Sequence, residues 1–398
     1  MRILSFGHLP ISYGGKQTSG ASFVIYQLAK HFNELDNIDS FVCATDIYKE
    51  TDTSYGITYL GWNKSLIVKK MFKHPYSTFK IFCRSIHFAK VYNLPFLPLL
   101  FKSLHLQFTL MKVKPDILQF HNYDSLAYLR IVRLYNTKVL FTKHGMSGYN
   151  EDVYNYLQCR KFEQDETNSK IDYMVFVTHD LYESWIGKYG QPKAKCYCIP
   201  NSYDETCYFF KDTTNTRDLG KIVLVTVGSV YKLKGQLRVV KAIASSENKN
   251  KIKYICIGNG KEENINLLKK EASDLAVDLD FLGPKSPQEI REILLKSDFM
   301  ILPSSYEGFG LVLLEAMSFG IPCISFNCPH GPSDIITNGE EGILVPVGDI
   351  NKLAESIEWM ITHKEERERM SQNSREKVKY YLAENIMPQW VELFNKIK

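Results

Sequence analysis

Apolar residues along the chain alternate between short runs typical of buried strands and helical repeats with one apolar face. The first such pair is a strand at 3–6 and an amphipathic helix at 21–33. This alternation continues towards the C-terminus on both sides of a polar stretch at 204–220. Strands that alternate with helices form parallel sheets covered on both faces, so we expect two such sheets joined by this linker.

The predicted strands are mostly apolar and are bounded by polar or glycine-bearing turns. They lie at 3–6, 39–45, 116–120, 138–142, 172–178, 195–199, 221–227, 252–257, 280–283, 299–303, 323–326 and 343–347. Later helices are predicted from about 53 to 115, at 125–134, at 236–244, 262–275 and 287–296, from about 310, and from 350 to the end.

We therefore expect an α/β protein with the organisation of two Rossmann-like domains, at 1–205 and 206–378, whose parallel sheets face each other across a cleft. A C-terminal helix at 379–398 is expected to pack back on the first domain. In such folds ligands bind at the carboxyl ends of the strands.

The composition and the cysteine spacing indicate the cellular compartment of the protein. The 398 residues are 44% hydrophobic and 23% charged, as in ordinary globular proteins. The nine cysteines have no zinc or redox spacing, and the first residues read as a strand rather than a signal peptide. We expect a cytoplasmic protein with reduced thiols.

The charge is distributed unevenly. The net charge is +5, yet Thr53 to Pro115 contains ten Lys or Arg and no carboxylate. Its longest uncharged run, at 91–101, is too short to cross a bilayer. Basic residues interleaved with aromatic ones are typical of a segment lying on an anionic membrane. A solvated helical face and a nucleic-acid patch are the alternatives, and we expect no nucleic-acid partner.

Two glutamates, Glu307 and Glu315, bracket an apolar run after the predicted strand at 299–303. The following helix is predicted to begin near Gly310 and to stop at Gly320. Amides in the first turn of a helix have no intrahelical acceptor, so a diphosphate can bind them where glycine allows close approach. Carboxylates suit hydroxyl groups, and the layout fits a nucleotide-sugar. The alternative is a buried helix that carries two solvated glutamates.

Other polar residues also follow predicted strands. Gly14 and Gly15 follow the first strand, and Lys234 precedes a helix, where its charge can offset a diphosphate. His121 and His144 each follow a strand, although a lone histidine is more often structural. The glycine pair does not match the dinucleotide fingerprint and no metal-ligand spacing is found, so we expect no cofactor and no metal. Three further histidines are expected to be structural: His8, His179 and His330.

Motifs in the second half, in their order and spacing, resemble the retaining glycosyltransferases of family four, which have the GT-B fold. They lie at 227–236, 257–260, 281–283, 303–317, 320–323, 338–346 and 348–349. In the first half the resemblance is thinner, at the Gly14-Gly15 loop, 116–121, 142–145 and 199–201. Residues 50–112 match no motif.

The resemblance implies roles for single residues. Glu307 bonds hydroxyls of the donor sugar, Glu315 bonds the ribose, Lys234 neutralises the leaving group, and His121 contacts the donor sugar. The remaining donor contacts fall on Gly14, Gly15, Ser229, Gly283, Phe309, Gly310, Leu311 and Val312. His144 is a further candidate, on the acceptor side. The family needs no metal, and its reaction is thought to proceed on one face of the sugar while the leaving phosphate helps to deprotonate the acceptor.

Three positions depart from the family pattern. Ser229 stands where arginine is frequent, and Lys232 is a nearby replacement for that charge. The loop at 326–334 carries Cys-Pro-His-Gly-Pro in place of a Gly-Gly loop, and it resembles enzymes that build bacterial surface polysaccharides from UDP-hexoses or UDP-N-acetylhexosamines. Gln119 stands where many members carry an extra histidine.

We expect a retaining, metal-independent glycosyltransferase that moves a hexose or N-acetylhexosamine from a UDP-sugar to a saccharide or lipid-linked acceptor, in surface polysaccharide or glycolipid synthesis. We expect it to lie peripherally on the inner face of the cell membrane. The alternatives are a nucleotide-sugar hydrolase or epimerase of the same fold, and a non-catalytic nucleotide-sugar-binding protein.

Overall fold

The chain forms two compact α/β units. The computed structural model describes residues 1–6, 20–43, 57–61, 63–92, 94–121, 127–145, 170–203 and 220–397. The first unit comprises Met1–Val177, Tyr182–Ile199 and Trp390–Lys398, and the second comprises Thr178–Leu181 and Pro200–Gln389. The polar linker predicted at 204–220 lies, up to residue 219, outside the described residues.

The first unit is built on a parallel sheet of seven strands in the order β3-β2-β1-β4-β5-β6-β7. Its strands are β1 (Arg2–Phe6), β2 (Asp39–Cys43), β3 (Thr58–Leu60), β4 (Ile117–Phe120), β5 (Lys138–Lys143), β6 (Tyr173–Phe176) and β7 (Lys195–Cys198). Its described helices are α1 (Gly20–Glu34), α2 (Lys64–Lys73), α3 (Pro75–Tyr92), α4 (Phe96–Val113) and α5 (His179–Tyr189), of which the residues up to Leu181 belong to the second unit. The central strands β4 and β6 are buried along their whole length, as expected where helices cover both faces.

The second unit is built on a parallel sheet of six strands in the order β10-β9-β8-β11-β12-β13. Its strands are β8 (Ile222–Val227), β9 (Ile252–Ile257), β10 (Leu279–Gly283), β11 (Phe299–Leu302), β12 (Cys323–Phe326) and β13 (Gly342–Val345). Its helices are α6 (Gln236–Ala244), α7 (Glu262–Asp274), α8 (Pro287–Leu294), α9 (Leu311–Ser318), α10 (Pro332–Ile335), α11 (Ile350–Thr362), α12 (Lys364–Lys379) and α13 (Ala383–Ile397).

Both sheets reverse their strand order next to the strand that begins the unit. The reversal lies between β1 and β4 in the first sheet and between β8 and β11 in the second. In β1 and β4 the register pairs Ile3 with Ile117, and in β8 and β11 it pairs Leu224 with Phe299. Loops diverge from the sheet at such a switch point, so the carboxyl ends of these four strands are where an α/β unit binds its ligand.

The predicted alternation of strands and helices is confirmed, with two corrections in the first unit. No α-helix covers the described part of 125–134, where a short 3-10 helix at Ala127–Arg130 gives way to irregular chain. Tertiary hydrogen bonds replace the helical ones there, because Gln107 Oε1 accepts from the amide of Arg133 and Arg84 donates to the carbonyl of Ile131. The other correction is strand β3, which falls inside the predicted mainly helical segment.

Helix α13 includes residues of both units, and the division falls after Gln389. Pro388 stands inside the helix, where proline removes one backbone hydrogen bond. Beyond it, Trp390 and Phe394 pack against Phe32 of the first unit, with ring centroids 5.4 and 5.0 Å apart. None of the helices in the described ranges combines the length and apolar character needed to cross a membrane.

Candidate active site

The switch point of the second unit holds an ion pair between Lys234 and Glu307. Lys234 ends the 3-10 turn Lys232–Lys234 after β8, and Glu307 lies in the loop after β11. Lys234 Nζ donates to Glu307 Oε1 at 2.5 Å, and their side chains are 25% and 11% exposed. Burial opposes the charge of Lys234, but the adjacent carboxylate outweighs it, so the pKa of Lys234 is raised above its ordinary value.

Glycines fix the loops that carry this pair. A Cβ on Gly235, whose φ is +73°, would lie 2.1 Å from the carbonyl oxygen of Pro303 at the end of β11. A Cβ on Gly331, whose φ is +136°, would lie 1.9 Å from the carbonyl oxygen of Phe309. Such contacts are impossible for any other residue without movement of the backbone, so these loops are held together by direct main-chain packing.

Helix α9 begins beside Glu307, with Gly310 as its N-cap at φ +95°. The amides of Leu311 and Val312 have no acceptor among the described residues, whereas that of Leu313 donates back to Gly310 at 2.8 Å. Glu315 lies one helical turn further on and is half-buried. Along the chain, the two free amides thus lie between Glu307, predicted to bind the sugar, and Glu315, predicted to bind the ribose. This is the order that the prediction requires.

The other predicted donor positions of this unit lie at strand ends or in the same loops. Ser229 follows β8, and its hydroxyl donates to Asn259 Oδ1 at 2.7 Å. Gly283 ends β10 with φ +68°. Phe309 is 4% exposed and packs edge-on against Tyr381, at 5.9 Å between ring centroids. Phe309 is therefore a core residue whose main chain, rather than its side chain, faces the loops.

His330, which was expected to be structural, is buried in the loop that supports Glu307. It is 3% exposed and has φ +68°, which is uncommon for a residue other than glycine. Its amide donates to Asp180 Oδ2 at 2.8 Å and its Nδ1 lies 2.9 Å from the same oxygen. The preceding carbonyl, of Pro329, accepts from the amide of Glu307 at 3.4 Å. These contacts agree with a structural role for His330 in the Cys-Pro-His-Gly-Pro loop.

In the first unit, the two predicted histidines come together. His121 follows β4 and His144 follows β5, and His121 Nδ1 lies 3.1 Å from His144 Nε2. The rings are nearly parallel, with centroids 5.4 Å apart. Burial, with a smaller contribution from His144, holds the pKa of His121 well below its ordinary value, so its imidazole is neutral near pH 7.

His121 retains one polar atom for a ligand. The ring is 3% exposed, and its Nε2 is buried without a hydrogen-bond partner among the described residues. Strand β4, which precedes His121, is linked to β5 by Gln119, whose Nε2 donates to Thr142 Oγ1 at 2.8 Å. Gly14 and Gly15, the predicted phosphate loop of this unit, lie outside the described residues.

Two family models match consecutive parts of the chain. The model described as glycosyl transferases group 1 matches residues 210–377, and the model described as glycosyltransferase family 4 matches residues 18–206. Together the two models cover most of the chain, which therefore belongs to the glycosyltransferases that they describe. This glycosyltransferase has the two Rossmann-like units of the GT-B fold, as expected from the resemblance.

Three relatives illustrate the similarity. An N-acetyl-alpha-D-glucosaminyl L-malate synthase of Bacillus anthracis is 27% identical over 65% of this chain and 67% of that enzyme. A Campylobacter jejuni alpha-1,4-N-acetyl-D-galactosaminyltransferase, named for a GalNAc-GalNAc-diNAcBac-PP-undecaprenol acceptor, is 25% identical over 48% of this chain and 53% of its own. The structure of Anabaena HepE with UDP-glucose covers both chains fully, with a TM-score of 0.75 at 16% identity, and shows similarity of fold.

Proposed function

We propose that this glycosyltransferase moves a hexose or N-acetylhexosamine from a UDP-sugar to a saccharide or lipid-linked acceptor, with retention of configuration and without a metal. The observation that carries the proposal is the partly buried Lys234–Glu307 pair, which precedes the free amides that begin α9. A cation and two amides suit a diphosphate, and the flanking carboxylates suit the hydroxyls of a sugar and a ribose.

The ion pair leaves both partners with binding capacity. An ammonium group has three donors and a carboxylate has about four acceptor positions, so one shared hydrogen bond occupies a minor part of each. Glu307 can therefore accept from sugar hydroxyls while Lys234 turns its remaining donors to the diphosphate. In this arrangement Glu307 also keeps Lys234 protonated before the donor binds, as its raised pKa indicates.

Catalysis in this proposal is mainly electrostatic. The bond that breaks joins the anomeric carbon to the diphosphate oxygen, and negative charge grows on that oxygen. Lys234 and the amides of Leu311 and Val312 stabilise it, which is the role of preorganised donors in an oxyanion-type site. The acceptor hydroxyl attacks from the same face, its proton passes to the leaving phosphate, and no residue of the enzyme forms a covalent bond.

For the first unit we propose that His121 contacts the donor sugar. Its neutral ring, tied through Nδ1 to His144, keeps Nε2 for one hydrogen bond with a hydroxyl. A charged imidazolium would repel the positive charge that develops on the sugar ring, so burial that keeps His121 neutral favours the reaction.

The relatives guide the choice of substrates. HepE was solved with UDP-glucose, which supports uridine diphosphate as the carrier. The Campylobacter enzyme is named for an undecaprenol-linked acceptor, which supports an acceptor held on a membrane. We accordingly place the enzyme in surface glycan synthesis, on the inner face of the cell membrane.

A product assay with a panel of UDP-sugars, with and without saccharide or polyprenyl-linked acceptors and in the presence of a chelator, tests the proposal. We expect acceptor-dependent transfer that the chelator leaves unchanged, and a product with the anomeric configuration of the donor. Sugar release without acceptor would instead identify a hydrolase, and nucleotide affinity without turnover would identify a binding protein. Loss of transfer with the chelator, or an inverted product, would contradict the metal-independent or the retaining part.

A further inference from the structure

Helix α3 has two apolar faces. The first is buried and contains Ile81, Phe88 and Ala89 at helical spacing. The second faces away from it and is exposed at Tyr76 (66%), Phe79 (67%) and Ile86 (44%). Phe82 (40%) lies at its edge and packs on Phe96 of α4, with ring centroids 5.6 Å apart. A surface helix needs one apolar stripe to pack on its core, so folding of the unit leaves the second stripe unexplained.

The exposed stripe continues around the turn into helix α2. Phe72, at 83%, is the most exposed large apolar residue among those described, and Val68, one turn earlier, is 41% exposed. His74 separates the two helices, and its ring packs on Phe108 of α4 with centroids 5.8 Å apart. Phe72 and Tyr76 therefore project from a turn that is anchored to the unit, rather than from a loose end.

The surroundings of these side chains carry one sign of charge. Residues 64–90 include no carboxylate and seven cations, which are Lys64, Lys69, Lys70, Lys73, Lys80, Arg84 and Lys90. Lys80 Nζ lies 4.3 Å from the ring centroid of Tyr76, so charge and aromatic surface are interleaved. A second copy of the chain would bring seven like charges against seven, whereas an anionic surface complements them.

We propose that the turn between α2 and α3, together with the exposed stripe of α3, is the surface by which the protein docks on an anionic lipid bilayer. This surface is called the docking corner and comprises the exposed side chains of residues 64–90. Phe72, Tyr76 and Phe79 enter the headgroup layer, and the lysines bind the lipid phosphates. The docking corner would bring the enzyme to a membrane-held acceptor, and its biological meaning therefore rests on the proposed function.

Firm binding to the bilayer needs both the basic charge and the apolar side chains of the docking corner. A basic residue near an anionic bilayer strengthens binding by about fivefold, and apolar side chains in the interface add a contribution that salt does not screen. We therefore expect binding that weakens, but does not vanish, as salt is raised.

The experiment is flotation of the full-length protein with vesicles of phosphatidylcholine alone and of phosphatidylcholine mixed with phosphatidylglycerol. We expect binding to the mixed vesicles and little to the neutral ones. The triple variant Phe72→Gln, Tyr76→Gln and Phe79→Gln should lose binding by at least about tenfold. These side chains are exposed, so the variant should melt at the same temperature as the parent. The matched control replaces three exposed apolar residues of the second unit, in Leu267→Gln, Val347→Gln and Tyr380→Gln, and should bind normally.

A charge variant separates the electrostatic part. Lys69→Gln, Lys73→Gln and Lys80→Gln together should weaken binding to the mixed vesicles by about a hundredfold at low salt, and by less at high salt. Its control removes the same net charge from exposed lysines of the second unit, in Lys261→Gln, Lys296→Gln and Lys364→Gln, and should change binding by less than about threefold.

Three results would overturn the docking corner. They are absence of parent binding to mixed vesicles, equal binding by the aromatic variant, and lipid-free self-association that the aromatic variant abolishes. Failure of the proposed function is distinguishable, because transfer from a UDP-sugar to a soluble acceptor does not need the bilayer. The aromatic variant should keep that transfer, whereas a parent protein that floats but transfers no sugar would sink the proposed function and leave the docking corner standing.

Discussion

The two units share one topology but place opposite chemistry at its switch point. The second unit puts a charged pair there, with Lys234 and Glu307 joined at 2.5 Å. The first unit puts the neutral His121–His144 pair at the ends of β4 and β5. Burial acts on both, but a carboxylate partner preserves the charge of Lys234 while His121 has another imidazole and loses its charge. In the second unit the carboxylate partner keeps the switch-point cation charged, whereas in the first unit burial, reinforced by His144, keeps the imidazole neutral.

The units also differ in the connection that leads from their third strand to their fourth. One helix, α8, lies between β10 and β11, whereas three helices, α2, α3 and α4, lie between β3 and β4. Those three helices carry the carboxylate-free segment and the exposed aromatic side chains. The shared α/β core thus supplies the candidate chemistry in each unit, and the insertion adds a surface that the second unit lacks.

The largest effect expected is on turnover when the charged pair is broken. Lys234→Met keeps the length of the side chain and removes its charge, and turnover should fall about 10²–10³-fold, as for loss of one oxyanion-stabilising donor. The control is Lys296→Met, an exposed lysine of the same unit just after α8, which should change turnover by less than about threefold. Steady-state kinetics with saturating donor measure both. Equal losses would mean that the cation acts through general charge and not through its pairing with Glu307.

Glu307 and Glu315 should separate turnover from nucleotide binding. Glu307→Gln should lower turnover about a hundredfold and leave the affinity for UDP within about threefold, because the sugar hydroxyls and not the nucleotide are its proposed ligands. Glu315→Gln should weaken UDP binding about tenfold, through loss of charged hydrogen bonds to the ribose. Calorimetry with UDP and kinetics on the same preparations decide the matter. If the two variants gave the same pattern, the division between sugar and ribose would be wrong.

Backbone packing should matter more at Gly235 than at an unconfined glycine. Both Gly235 and Gly339 have positive φ, but a Cβ on Gly339 meets nothing within 4 Å, whereas one on Gly235 lies 2.1 Å from Pro303 O. Each alanine variant bears the conformational cost, and Gly235→Ala must in addition push two loops apart. Gly235→Ala should cost about 2 kcal/mol more stability than Gly339→Ala, measured by denaturant unfolding. A smaller difference between the stability losses of the two variants would show that the loop around Lys234 can move to accommodate the added methyl group.

Much of this could be predicted from sequence because the second unit has short connections and consistent local signals. Helix α6 and strands β9 and β12 have the predicted limits, and the Glu307-to-Gly310 loop leads into α9 as expected. Of the helix predicted at 125–134, the described part forms only a 3-10 turn at Ala127–Arg130, because Gln107 and Arg84, distant in sequence, bond the backbone that follows it. Strand β3 was missed because three residues give no periodicity.

Contacts between distant residues limited the prediction of the site in the same way. The positions of Lys234, Glu307, His121 and His144 at strand ends were readable, but their pairings were not. The partner of His330 is Asp180, which is 150 positions away in the chain. A strand-end pattern shows where polar groups gather and does not show which of them touch.

The smallest effect expected is on stability in acid, and it concerns the neutral pair of the first unit. The folded protein holds the pKa of His121 well below the ordinary value of 6.5, so the unfolded chain takes up this proton first as the pH falls. The stability that depends on neutral His121 is therefore complete above about pH 6.5 and is lost as the pH falls towards the lowered value, by at most about 1.4 kcal/mol per pH unit. His121→Gln removes this titration, so its unfolding free energy should fall less than that of the parent between about pH 7.5 and about pH 5.5, by roughly 1 kcal/mol. His87→Gln, at an exposed position on α3, should keep the full decline. If the unfolding free energy of His121→Gln declined as steeply as that of the parent, His121 would take up its proton as readily in the folded protein as in the unfolded chain. The contrast between a charged switch point in the second unit and a neutral one in the first would then be wrong for the first unit.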